Sequence, residues 1–463
     1  MENFGLPRGC FFGVAQDNNE ASLCVFIPFC VFLPSSNIFM MKRYLMYIML
    51  LLLGTQLHAQ WDMHFRTDNY VYAPGIRSVD FHPKEVRLGE PIARLGGGDE
   101  QLTLEFDDVE TDDHYLKYTF IHCTHDWQIS DMNQVEYLEG FPEDMIEKYD
   151  YSFNTIVHYT HYTLSFPNQN MSFTKSGNYI LLVYDDTPDN PVLTRRFMVV
   201  EANAAKVNGQ VHRPTDVNNH FTHQEVDFEV IPGSFVVRNP AMTLHATIKQ
   251  NGRWDNAKYG LTYHSFMNNV FSFDYDDGRN TFPGGAEFRT FDISTLRSNG
   301  DRIVSIDFAH RRNQAYVLLD EARPYSAYES RSTMNGECVY YNRDLPNPYS
   351  EDYVNTYFTL ESKYPFTDGD VYVFGELTDW QIIDDAKLHY NREQNYWETC
   401  FFIKQGRYNY QYVYVPHGKQ DIDATYVEGS HYETRNQYTI LVYFREEGTP
   451  YDKLIGVEHC TLP

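Results

Sequence analysis

The sequence predicts an all-β protein, with three consecutive β-sandwich (immunoglobulin-like) domains after a signal peptide. Three observations carry that prediction. Aromatic residues make up 16% of the 463 positions, and Tyr and Phe favour half-buried pleated surfaces. Short runs of period two recur between Gly, Pro, Asn and Asp turns along the chain. Helical patterns are few, and at roughly 150 residues per domain the length is too great for one small core.

At the N-terminus, the basic pair Lys42-Arg43, the apolar residues 44–54 and Gln56-Leu57-His58-Ala59 read as a secretory signal peptide. The apolar run is shorter than the ~20 residues of a membrane-spanning helix. Residues 1–59 are therefore set apart as an upstream extension and signal peptide, with Met40 or Met41 as the expected start. The mature chain is expected to be secreted and soluble.

Within it, Leu102-Thr103-Leu104-Glu105-Phe106-Asp107 alternates, which puts Leu102, Leu104 and Phe106 on one strand face. Residues 179–184 are apolar on both faces, as in a strand covered on both sides, and residues 438–443 follow the same pattern. Further strands are expected over 196–200, 226–230 and 244–248. Tyr408, Tyr410, Tyr412 and Tyr414 occupy every second place and form one tyrosine face. The best helical signal is 142–149, where Pro142 leads a first turn rich in acids. Domains are drawn at 60–205, 206–335 and 336–463, the last of early-set immunoglobulin type. An outer-membrane barrel competes, but it needs apolar series near ten residues long. Charges interrupt the runs here, as in Phe273-Asp274-Tyr275-Asp276-Asp277.

A net charge of −27 argues against binding nucleic acid or acidic lipid, both of which need clustered Lys and Arg. Four cysteines follow the signal: Cys123, Cys338, Cys400 and Cys460. Secretion permits disulfides, and the grouping of the last three makes one bridge there plausible, with the pair left open.

No Walker A, GxSxG, HExxH or EF-hand pattern occurs in the mature chain, and no catalytic residue, metal or cofactor is assigned. His122-Cys123-Thr124-His125-Asp126-Trp127 offers zinc-type ligands. A regular strand turns His122 and His125 to opposite faces, however, and no third ligand is specified. A structural turn with Asp126 capping and Trp127 packed is preferred. The acid pairs Asp107/Asp108 and Asp185/Asp186 admit a carboxylate-pair glycoside hydrolase, against which solvated turns are the better reading. Trp380 and Trp397 are the glycan-stacking candidates, since Gly375-Glu376-Leu377-Thr378-Asp379-Trp380 and Tyr396-Trp397-Glu398 look like modules that accompany glycan-active enzymes. Packing is the preferred role for both.

Taken in order, a longer set of phrases carries a family resemblance: Leu102 to Asp108, His122 to Trp127, Glu136-Tyr137-Leu138-Glu139-Gly140-Phe141, Ser152-Phe153-Asn154-Thr155, Ser176-Gly177-Asn178-Tyr179, Gln250-Asn251-Gly252-Arg253-Trp254, Gly375 to Trp380 and Glu428-Gly429-Ser430-His431-Tyr432. The chain resembles the plug protein family of the Bacteroidetes type IX secretion system. The resemblance implies a non-enzymatic periplasmic protein, at the inner face of the outer membrane, that closes the periplasmic end of the large translocon barrel at rest. Its partner would be that barrel, with the protein monomeric when free. The resemblance brings no contact residues. The alternative reading is a secreted glycan-binding β-sandwich protein.

Overall fold

The computed structural model describes residues 65–97, 100–110, 115–308, 311–362, 365–419 and 421–463. The extension and signal peptide read at 1–59 lie outside the described residues. The largest sheet has ten strands. Eight run in the order Lys258–Leu261, Leu244–Gln250, Gln437–Phe444, Lys453–Thr461, Pro191–Val200, Gly177–Asp185, Leu116–Cys123 and Asp144–Met145. Tyr70–Val71 and Ile92–Arg94 also pair with Pro191–Val200. Its two halves meet in a parallel contact, Val200 opposite Leu454.

A four-stranded sheet, Ile76–Pro83, Leu102–Asp108, Thr160–Phe166 and Lys148–Tyr151, covers one half. Between them lies a first core rich in aromatic rings: Phe106, Phe120, Tyr162, Phe166, Tyr179 and Phe197. Phe106 stacks on Tyr162 with centroids 5.1 Å apart. A five-stranded sheet, built on Lys206–His212 and His223–Ile231, closes a second core against Leu244–Gln250 and Gln437–Phe444. The third core lies between the sheets holding Tyr353–Glu361 and Gly406–Pro416 and contains Phe291, Phe358, Val371, Tyr408, Tyr410 and Tyr412.

The expected strands are present. Leu102, Leu104 and Phe106 face the first core. Tyr179, Leu181 and Val183 face that core, while Ile180, Leu182 and Tyr184 face a fourth cluster on the sheet's other side. None of the described sheets closes into a barrel. Among the described residues no helix is long and apolar enough to cross a membrane.

The structure departs from the sequence expectations in four places. Residues 142–149 form no helix. Ile146 donates its N–H to the Leu116 carbonyl at 2.9 Å and buries its side chain, while Met145 and Lys148–Tyr151 pair with strands on either side. Tertiary pairing outweighs a helical preference worth only tenths of a kcal/mol per residue. The helix that does form nearby is one turn, Gln134–Tyr137, whose Glu136 carboxylate accepts the Asn133 N–H.

Second, the boundary at 335 does not separate the second core from the third: the third core already begins at Phe291, and the last two strands return to complete the second core. Third, the bridge among Cys338, Cys400 and Cys460 is not formed. All four cysteines are free, and these three stand on three different sheets. Fourth, Asp107 and Asp108 are buried in a strand rather than solvated in a turn.

Candidate docking surface and the contacts that fix it

Residues 141–156 cross from one sheet of the first core to the other. Asp144–Met145 is the edge of the ten-stranded sheet and Lys148–Tyr151 the edge of the four-stranded one. Only Ile146 and Thr155 are buried in this stretch. Phe141, Tyr151 and Phe153 are 57%, 56% and 54% exposed, and Met145, Tyr149 and Ile156 are exposed beside them. Tyr149 and Tyr151 stand edge to face at 5.9 Å. Five acids and one lysine lie among them over 139–150. Aromatic residues and Met on an otherwise polar surface are the composition of a protein interface, and a sheet edge is where another chain can add a strand.

The ledge is held in place from the third core. Asp352 accepts the N–H groups of Ile156 and Val157 at 3.0 and 3.1 Å, and Phe153 N–H donates to the Tyr349 carbonyl at 2.8 Å. Behind it, Asp107 accepts bonds from His161, Tyr353 and Lys404, each at 2.7 Å. Burial would raise its pKa, but Lys404 and His161 hold it below the ordinary carboxylate value. Tyr353 and Lys404 belong to the third core's strands, so this carboxylate fastens the first core to the third. Asp452 does the same for the C-terminal hairpin, accepting from His125 N–H and Arg445.

Where the cores meet, a cavity of about 100 Å³ is lined by Asp80, Glu90, Lys249, Glu337, Glu376 and Asp379, among others. Burial pushes Glu376 up to about 8 and Glu337 up to about 9, reinforced by their carboxylate neighbours. Asp80 and Glu105, which with His82 form a possible ligand cluster, already hold the Arg87 guanidinium at 3.1 and 2.9 Å.

The tryptophans and the His122–Trp127 turn singled out from the sequence lie elsewhere. Trp380 is half-buried, edge-on to Phe288 and Phe374, with the Arg253 guanidinium 5.4 Å from its ring. Trp397, also half-buried, packs between Phe366 and Tyr390. They share no ring partner. His122, next to the last residue of its strand, is bonded to Ser130 and to the Ser176 carbonyl, and burial lowers it to about 4. Asp126 accepts the Thr124 hydroxyl, and Trp127 is buried under Arg196, whose guanidinium lies 4.4 Å from its ring. The ledge itself was missed because its period-two signal is broken by Pro142 and overlaid with acids.

Three cores joined by buried ion pairs, with an exposed aromatic edge, define an all-β body of packed sandwiches. A family model described as the type 9 secretion system plug protein 1st domain matches residues 76–201, which is the first core and its ledge. A crystal structure of a hypothetical protein from Parabacteroides merdae ATCC 43184 is similar at 31% identity and TM-score 0.81, covering 86% of this chain and all of that one. The C-terminal domain of the Streptococcus pyogenes antigen I/II-family protein AspA gives only 0.15 at 8% identity, over 84% of this chain and 99% of that one. No curated protein matches. The chain belongs to the type IX secretion system plug protein family. That membership gives it a secretion-related, structural role in the cell envelope.

Proposed function

We propose that this protein is the periplasmic plug that closes the periplasmic end of the type IX outer-membrane translocon barrel in its resting state. The observation that carries the reading is the coincidence of the plug-domain match with the core that bears the aromatic ledge. A plug must be stiff enough to block a channel and yet removable. Buried carboxylates bridging the cores supply the stiffness. A ledge of rings interleaved with acids favours a wet, separable contact of roughly 1,200 Å² or more. The charge of −27 discourages self-association and favours a basic seat at the channel mouth.

The test is an affinity pull-down of the tagged protein from detergent-solubilised envelopes of its native host. Recovery of a very large outer-membrane barrel at near-equal amount is expected. Recovery of no membrane partner, under conditions that keep other envelope complexes together, would overturn the proposal.

A further inference from the structure

The second core's sheet carries a polar row on its outer face. His212 pairs opposite Glu225, and Glu225 opposite Thr281 on the next strand. Val226, Phe228 and Val230 point into the core, so Glu225 and Asp227 point the other way. The segment 213–222 folds over them, with Thr215 N–H donating to Glu225 Oε2 at 2.9 Å, and Glu225 is left 2% exposed. One donor atom each from His212, Glu225 and Asp227 lies within 4.8 Å of the others.

Two features set this cluster apart from an ordinary ion pair. His212 Nδ1 is 2.8 Å from the Arg213 carbonyl, which can only accept, so Nδ1 carries a proton and Nε2 is the atom turned toward Asp227 Oδ2 at 2.5 Å. A ring fixed through Nδ1–H to a backbone carbonyl is how metal-binding histidines are oriented. Asn280 donates to Asp227 Oδ1 at 2.8 Å and fixes the carboxylate in the same way. Independently, Glu225 Oε1 is fully buried without a hydrogen-bond partner among the described residues, as is the hydroxyl of Thr281 facing it across the strands. An unsatisfied buried oxygen costs about 1–3 kcal/mol, and the Glu225 carboxylate oxygen, which can only accept, marks a place where something electropositive is missing.

We propose that His212 Nε2, Glu225 Oε1 and Asp227 Oδ2 form a binding site for a divalent cation of the zinc class. One imidazole and two carboxylates make a mixed nitrogen and oxygen set that neutralises a 2+ ion and leaves a fourth position for water. Ligand atoms each about 2 Å from a tetrahedral ion stand roughly 3.3 Å apart, so His212 and Asp227 need to part by less than about 1 Å. Any proton on Nε2 leaves to solvent as the lone pair takes the metal. The bound ion would pin the 213–222 segment to the sheet.

Isothermal titration of ZnCl2 into the purified, chelator-stripped chain tests this. Saturable uptake of one equivalent is expected, with a raised melting temperature in zinc. Asp227→Asn and His212→Gln should each weaken that uptake tenfold or more. Glu225→Gln keeps an oxygen for Thr215 N–H, so it guards against misfolding, and it should lose the zinc-dependent rise while melting like the wild type in chelator. Zinc uptake that is absent, non-saturable, or unchanged in all three variants would overturn the site.

Discussion

Single buried groups decide more here than their number suggests. Asp107 holds two charged or chargeable partners and a tyrosine hydroxyl in a dry interface. Asp107→Asn strands Lys404 and should cost about 3–5 kcal/mol, read as a lower urea midpoint. Glu428 is the matching group in the third core. It accepts from Arg289, Arg323 and Tyr412 N–H. Burial alone would raise its pKa, but Arg289 and Arg323 bring it down from 4.5 to about 2. Its contribution is therefore present above pH 4.5 and is lost as pH falls toward 2, on the order of 3 kcal/mol. Glu428→Gln should flatten the acid limb of a stability profile over that window.

Glu376 has the opposite sign. Its folded value is about 8, so the native state keeps a proton that the unfolded chain releases near 4.5, and stability falls as pH rises between the two. Glu376→Gln should stabilise the protein at pH 7.5, by on the order of 4 kcal/mol, and do nothing at pH 4. Gly336 tests packing instead. Its φ is +94°, and a Cβ there would lie 2.2 Å from the Trp380 ring. Gly336→Ala should lower the melting temperature through both strain and overpacking, by more than about 2 kcal/mol.

At the scale of elements, the ledge over 141–156 joins two sheet edges, and its rings at Tyr149, Tyr151 and Phe153 are exposed. Replacing Tyr149, Tyr151 and Phe153 together by alanine should change stability by little more than about 0.5 kcal/mol per site. The same triple variant should recover much less barrel in the pull-down. Loss of folding with no specific loss of capture would separate the ledge from the interface.

Across the whole molecule, cooperativity follows from shared strands. Gly177–Asp185 has one face in the first core and the other in the fourth cluster, and Gln437–Phe444 is shared between the second core and that same cluster. A single calorimetric transition is expected. Removing residues 437–463 should unfold the second core, seen as loss of protease resistance over 206–283. The acidity acts at this scale too: if the −27 charge seats the plug on a basic rim, raising salt from low to physiological strength should weaken capture.

What was legible in the sequence was local. Alternation put Leu102, Leu104 and Phe106 inside, and double-sided apolar runs foretold that 179–184 and 438–443 would be covered on both faces, because side-chain period is a property of the strand itself. The Trp127 turn could be read because it closes within a few residues. The ordered phrases also pointed to the family. Tertiary structure decided the rest. Whether Asp107 sits in water or beneath Lys404, and whether 142–149 winds or pairs, depends on residues 250 or more positions away in one case and on two sheet edges in the other. The His212, Glu225 and Thr281 row exists only across three strands. Spacing along a chain fixes which face a residue takes, but it does not fix which distant strand that face will meet.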